Sequence, residues 1–128
     1  SGLLGISGKT GSMIDLLDLE SHDKAAAEAV QLYVYQVRKA IGSLSAVLGG
    51  LDSLVFTGGI GEKSADLRQR ICTNFGYLGI SLDDLPNASN SELISDDESK
   101  VGVHVIPANE ASVMAQQIAG IINNEEIN

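Results

Sequence analysis

Apolar positions recur at steps of four and three through Val30, Val34, Val37, Ile41, Leu44 and Leu48. That period predicts one long amphipathic helix. Ser21 or Asp23 can cap its start, and Ala25, Ala26, Ala27 and Ala29 add intrinsic propensity. Gly49 and Gly50 stop it near Leu48, where a left-handed residue is wanted. The pattern then changes. Leu54, Val55 and Phe56 form a short continuous apolar run, which reads as a buried strand. It leads directly into Thr57-Gly58-Gly59-Ile60-Gly61, after which Lys63 or Ser64 opens a second helix with Leu67, Ile71 and Phe75 facing inward. Residues 77–81 suggest another short strand. The stretch from Asp83 to Glu98 is polar and acidic and reads as a surface excursion. Val101, Val103, Val105 and Ile106 predict a further strand. Asn109 then caps a last helix carrying Val113, Met114, Ile118, Ile121 and Ile122, and the tail from Asn123 frays. Before all this, Gly2, Gly5, Gly8 and Gly11 accompany Leu3, Leu4 and Ile6 in what reads as a partly buried loop.

This alternation of helices and strands predicts an α/β fold, a mixed or parallel sheet covered by helices. With 128 residues, one domain is the default, and 44% hydrophobic composition is enough for a core. Two or three strands are too few for a closed α/β domain, and the chain opens on Ser1 without an initiator Met. Both observations lead us to expect a piece of a longer protein.

Charge narrows the function classes. Seventeen acids against eight bases leave a net −9, and the bases are scattered. Nucleic-acid binding, which needs clustered cations, is not expected. A phosphorylated small molecule remains open, because backbone N–H groups hold phosphate without net positive charge. The chain has one cysteine, no leader-like segment and no apolar run approaching 18 residues, so a soluble cytoplasmic protein is expected, with no membrane partner.

The strand–GGIGEKS–helix junction is the strongest chemical signal. A strand delivers the chain to the carboxyl edge of a sheet, where ligands of α/β folds collect. Gly58, Gly59 and Gly61 leave room for a ligand against the backbone, and a following helix start offers free N–H groups. The same glycines also suit a tight strand-to-helix turn needing positive φ, and spacing alone leaves both readings open. The phosphate-binding GxxxxGK[ST] loop is not matched, since Glu62 and Thr57 stand where it needs glycine. The dinucleotide GxGxxG is not matched either, because position 64 is Ser. Gly8-Lys9-Thr10 lacks the earlier glycine and the preceding strand. The second junction, Pro107-Ala108-Asn109-Glu110, places an acid at a strand's carboxyl end. Glu110 could hold Mg²⁺ there, or merely favour the helix dipole beside an Asn109 cap. His22 and His104 have no partner spacing, and Cys72 reads as a small buried apolar residue.

Four segments taken together resemble the carboxy-terminal part of the acetate and propionate kinase family. They are SGLLGISG at the start, FTGGIGEKS at 56–64, FGYLGISLD at 75–83 and VIPANE at 105–110, in the family's order and approximate spacing. The resemblance implies an RNase H-like domain of the actin and sugar-kinase type, 1–128 being its C-terminal nucleotide-binding segment. It implies reversible transfer of the γ-phosphoryl of ATP to a short-chain carboxylate, giving an acyl phosphate. Gly59, Ile60, Gly61, Glu62 and Lys63 would form the adenosine-side loop, where the family usually carries Asn at the position of Lys63. Glu110 would hold the Mg²⁺ that accompanies ATP or ADP. The family's Asp-Met-Arg or Asp-Phe-Arg, which lines the nucleotide, corresponds to Ser12-Met13-Ile14, of which Met13 alone matches. The carboxylate site and the cationic clamp on the transferring group would precede Ser1, so the chain by itself is expected to be inactive. The resembling kinases dimerise, which implies a homodimer. The rival readings are a non-catalytic remnant or assembly segment, and a generic α/β phosphate-binding protein.

Overall fold

A computed structural model of the chain describes residues 12–110. The glycine-spaced opening segment and the apolar positions beyond Glu110 lie outside the described residues. The first element, α1 (Met13–Leu19), starts at Ser12, whose hydroxyl accepts the Asp15 N–H at 3.4 Å. This helix was not among the expected elements, although Ser12 followed by Asp15 three positions later is a capping signature.

Helix α2 (Lys24–Leu48) confirms the long periodic segment. Asp23, not Ser21, is its cap: the carboxylate accepts the N–H groups of Ala25 and Ala26 at 2.9 and 3.2 Å. Gly49 closes the helix in the left-handed conformation at φ 74°, and the Gly50 N–H donates to the Ser45 carbonyl at 2.8 Å. Ala26, Ala29 and Val30 are buried against Met13 and Leu16 of α1. Val34, Val37 and Ile41 continue the stripe into the main core. Beyond Ile41 the expected stripe leaves it. Leu44 and Leu48 are 59% and 70% exposed, and Ser45 is buried instead. The reason is length. At 1.5 Å per residue α2 runs about 37 Å, whereas the four-residue strand beside it covers roughly 13 Å.

The strands β1 (Ser53–Phe56) and β2 (Gly102–Val105) pair in parallel, Leu54 opposite Val103 and Phe56 opposite Val105. Residues 92–95 line the other side of β2 in the antiparallel sense. Ile94 donates to the Val103 carbonyl at 2.9 Å, and the Val105 N–H donates to Glu92 at 2.8 Å. The sheet proper is thus the parallel pair, flanked by helices as an α/β fold requires, with only an isolated antiparallel bridge, Leu93 to His104, beside it.

Between the strands, α3 (Gly59–Lys63) and α4 (Ala65–Cys72) replace the single helix expected from position 63 or 64 to Phe75. The chain kinks at Ser64, which is extended (φ −110°, ψ 98°) and whose hydroxyl accepts the Leu67 N–H at 3.1 Å. At the far end, Arg38 of α2 donates to the carbonyls of Ile71 (2.8 Å) and Thr73, satisfying the terminus of α4 from outside. Its guanidinium also lies 4.4 Å over the ring of Phe75, which is buried as expected but lies beyond the end of the helix.

Residues 77–81 are not a strand. A 3-10 turn (Gly76–Leu78) ends at Gly79, whose φ of 90° turns the chain out of extended geometry. The acidic stretch after it is not wholly a surface excursion. Asp83, Asp84, Glu92, Asp97 and Glu98 are exposed, but the segment contains α5 (Asp84–Ala88) and inserts Ile94 and Asn87 into the interior.

Arg70 of α4 pairs with Glu20 at 2.6 Å and with Asp66 at 2.8 Å, joining the end of α1 to α4. The Arg70 hydrogen bonds hold the Glu20 carboxyl below its ordinary range. Burial pushes the Cys72 thiol up to about 12. Among the described residues no helix is long and apolar enough to cross a membrane.

Candidate functional site

Because β1 and β2 are parallel, their carboxyl ends lie at the same edge of the sheet. The glycine turn leaves β1 there, and residues 106–110 leave β2 beside it. The Ile106 N–H donates to the Phe56 carbonyl at 3.0 Å, which extends the pairing to the point where the two segments diverge. This is the edge at which open α/β sheets bind ligands.

Each glycine of the turn has a different job. Gly58 sits at φ 77° and ψ 153°, a conformation that side-chain-bearing residues rarely adopt. A Cβ on Gly59 would meet no atom within 4 Å, so the backbone there is open to approach. A Cβ on Gly61 would lie 3.6 Å from the Phe56 backbone, so this glycine rests on the strand end. Ile60 is half-buried and packs on the cluster formed by Met13, Leu16, Ala26, Ala29, Val30 and Leu67. Lys63 is exposed.

Glu62 connects the two segments. Its carboxylate accepts the Ala108 N–H at 3.3 Å. The helical turn after β2 begins at residue 108, so Asn109 lies inside it and is not its cap. The first N–H of that turn, one of the donors a helix leaves without an internal partner, is taken by Glu62. Glu110 follows, exposed, in the same turn.

Met13 is placed differently from the other candidates. It is 4% exposed in the cluster beneath Ile60, so its side chain supports the turn from below and is not displayed at the edge. A cleft of about 170 Å³ lies under the turn, lined by Tyr33, Val37, Phe56, Thr57, Ile60 and Arg68 among others. That is below the several hundred Å³ of a cofactor-sized pocket.

No group of three or more His, Cys, Asp or Glu side chains capable of holding a metal occurs among the described residues. A lone carboxylate suits Mg²⁺ only where phosphate oxygens and water fill the remaining positions. Glu110 stands at the sheet edge as an exposed single carboxylate.

The sequence reading passed over Arg68. It is 0% exposed, on the same face of α4 as Leu67, Ile71 and Cys72. Its guanidinium donates to the Gly61 carbonyl at 2.9 Å and to Asn87. Burial pulls its pKa down, yet each of its nitrogens donates a hydrogen bond, and no buried side-chain polar atom among the described residues lacks a partner. The available signal was a charge on an otherwise apolar helical face.

A family model described as the acetokinase family matches residues 1–116. Acetate kinase of Rhodopseudomonas palustris is 47% identical over 120 residues, which cover 92% of this chain and 30% of that protein. Among solved structures, Porphyromonas gingivalis acetate kinase superposes with a TM-score of 0.80 at 35% identity, over 95% of this chain and 32% of the other. A propionate kinase from Francisella tularensis gives 0.74 at 34% identity, over 84% and 28%. The chain thus spans about 30% of the length of the curated relatives it matches. By a match that runs from Ser1 through the glycine turn and past Glu110, and by the shared fold, the chain belongs to the acetokinase family.

Proposed function

We propose that this chain is the C-terminal nucleotide-binding segment of a kinase that moves the γ-phosphoryl of ATP reversibly to a short-chain carboxylate. The observation that carries the reading is the joined carboxyl edge: an unobstructed Gly59, with Glu62 tying its turn to the one that bears Glu110. In this reading the backbone of Gly59, Ile60 and Gly61, with Glu62 and Lys63, borders the adenosine side of ATP or ADP. Glu110 faces Mg²⁺ bound to the phosphates. Bound there, the ion would offset phosphate charge, and the role of these residues is to position it.

The segment supplies one part of the chemistry. Phosphoryl transfer rests on positioning and charge stabilisation. The only base of the turn is Lys63, so we assign the cationic clamp and the carboxylate pocket to the remainder of a full-length kinase. The family resemblance extends the proposal to a cytoplasmic homodimer. By itself the chain is expected to show no acetate-dependent ATP turnover.

Calorimetric titration of the chain with MgATP tests the reading. Gly59→Val adds a side chain where nothing in the chain obstructs it, so the melting temperature should hardly move. The Kd for MgATP should rise about tenfold or more, equivalent to ~1.4 kcal/mol. Glu110→Gln keeps size and removes charge, and should raise the Mg²⁺ concentration needed for binding. An unchanged Kd in Gly59→Val, or an unchanged Mg²⁺ dependence in Glu110→Gln, would remove that residue from the site.

A further inference from the structure

We propose that Asn87 is a positioning residue for the glycine turn, acting through Arg68. The turn and Asn87 are far apart in sequence, and Asn87 lies in the acidic stretch that carries no site chemistry of its own. Yet Asn87 is 4% exposed and uses its whole amide. Its Nδ2 donates to the Ala65 carbonyl at 3.0 Å, just after the kink at Ser64. Its Oδ1 accepts from Arg68 Nε at 2.8 Å, and its backbone carbonyl accepts from Arg68 Nη2 at 2.7 Å. Asn90 Oδ1 accepts from the same Nη2.

These bonds fix a planar group. A guanidinium presents its donors in one rigid fork, so gripping two of its nitrogens sets the direction of the third. The third, Nη1, donates to the Gly61 carbonyl at 2.9 Å. The Gly61 carbonyl belongs to the peptide that leads into Glu62, whose side chain reaches Ala108. The peptide plane between Gly61 and Glu62 is thus held on both sides, its N–H by the Gly58 carbonyl within the turn and its C=O by a guanidinium that a side chain of α5 orients. Neither α3, with five residues, nor its glycine cap supplies a side-chain bond that could do this from within.

The relevance of this positioning to nucleotide rests on the function proposed above, and the test separates the two. Amide hydrogen exchange is measured on the chain for Glu62 and Ser64, whose N–H groups donate to Gly58 and Ile60 at 3.1 and 3.0 Å, with the amides of α2 as internal reference. In Asn87→Ala, exchange at Glu62 and Ser64 is expected to accelerate about tenfold relative to α2, and the MgADP Kd to rise by about the same factor. Asn87→Asp keeps the acceptor for Arg68 but sets an oxygen against the Ala65 carbonyl, so it should recover both in part and fall between Asn87→Ala and the parent chain. Should Asn87→Ala fail to fold, Asn90→Gly removes an acceptor from the same guanidinium at an exposed position whose φ of 53° suits glycine. It should show the same local acceleration. Faster exchange at the turn in a chain that binds no MgADP would uphold the positioning and defeat the nucleotide reading. Exchange at Glu62 and Ser64 that merely follows α2 in every variant would overturn the positioning itself.

Discussion

Arg68→Met is expected to lower the unfolding free energy by about 3–5 kcal/mol, because several enclosed acceptors lose their donor at once. Methionine fills most of the space but donates nothing. The Gly61 carbonyl and both oxygens of Asn87 would face an apolar thioether instead of donors at 2.7–2.9 Å. Each buried acceptor left without a partner costs about 1–3 kcal/mol. The loss is large beside the roughly 5–15 kcal/mol of an ordinary domain. Arg68→Lys should fall between, because an ammonium can reach one acceptor and not span the fork. Urea unfolding followed by circular dichroism gives the comparison. A loss below about 1 kcal/mol in Arg68→Met would mean that water reaches these acceptors and that the network is not sealed.

Ile94→Ala should cost about 2–5 kcal/mol, as deletion of a fully enclosed aliphatic side chain does. Ile94 is 0% exposed and lies in the main core with Val101, Val103 and Ile80. Its backbone is committed on both sides, donating to Val103 at 2.9 Å and accepting from Asp83 at 2.8 Å, so the chain cannot easily collapse into the vacated volume. Leu85 in the same segment is 80% exposed, and Leu85→Ala should stay within about 0.5 kcal/mol. Thermal unfolding of the pair distinguishes an inserted segment from a solvated one. Equal small losses would return the segment to the surface.

What could be read from sequence was local. The caps of α2 at Asp23 and Gly49, the strand before the glycines and the carboxyl-edge placement of Gly59 and Glu110 all follow from residues close to one another. Ile94 escaped because acids flank it, and its burial comes from hydrogen bonding to β2, not from any period of its own. Tyr77, Leu78 and Ile80 resembled a strand, but Gly79 at φ 90° redirects the chain, and a glycine's sign of φ is not written in its neighbours. Leu44 and Leu48 kept the helical period past the point where the sheet ends, since a period says which face is apolar and not how far its partner extends. The site divides in the same way. The placement of the glycines and Glu110 at one edge of the sheet was legible. Arg68, Asn87 and the Glu62–Ala108 link depend on which segments fold together, and Met13 proved to lie beneath the turn.

The enclosure of Cys72 has a practical consequence. The chain has a single sulfhydryl, and it sits at the last residue of α4 between the Arg38 and Arg68 networks. A thiolate is the species that reacts, and here it is scarce and out of reach of solvent while α4 is in place. Alkylation of the native chain then proceeds only through transient openings of that helix. The uptake of a small maleimide becomes a clock for how often the far end of α4 comes apart, with no mutation introduced.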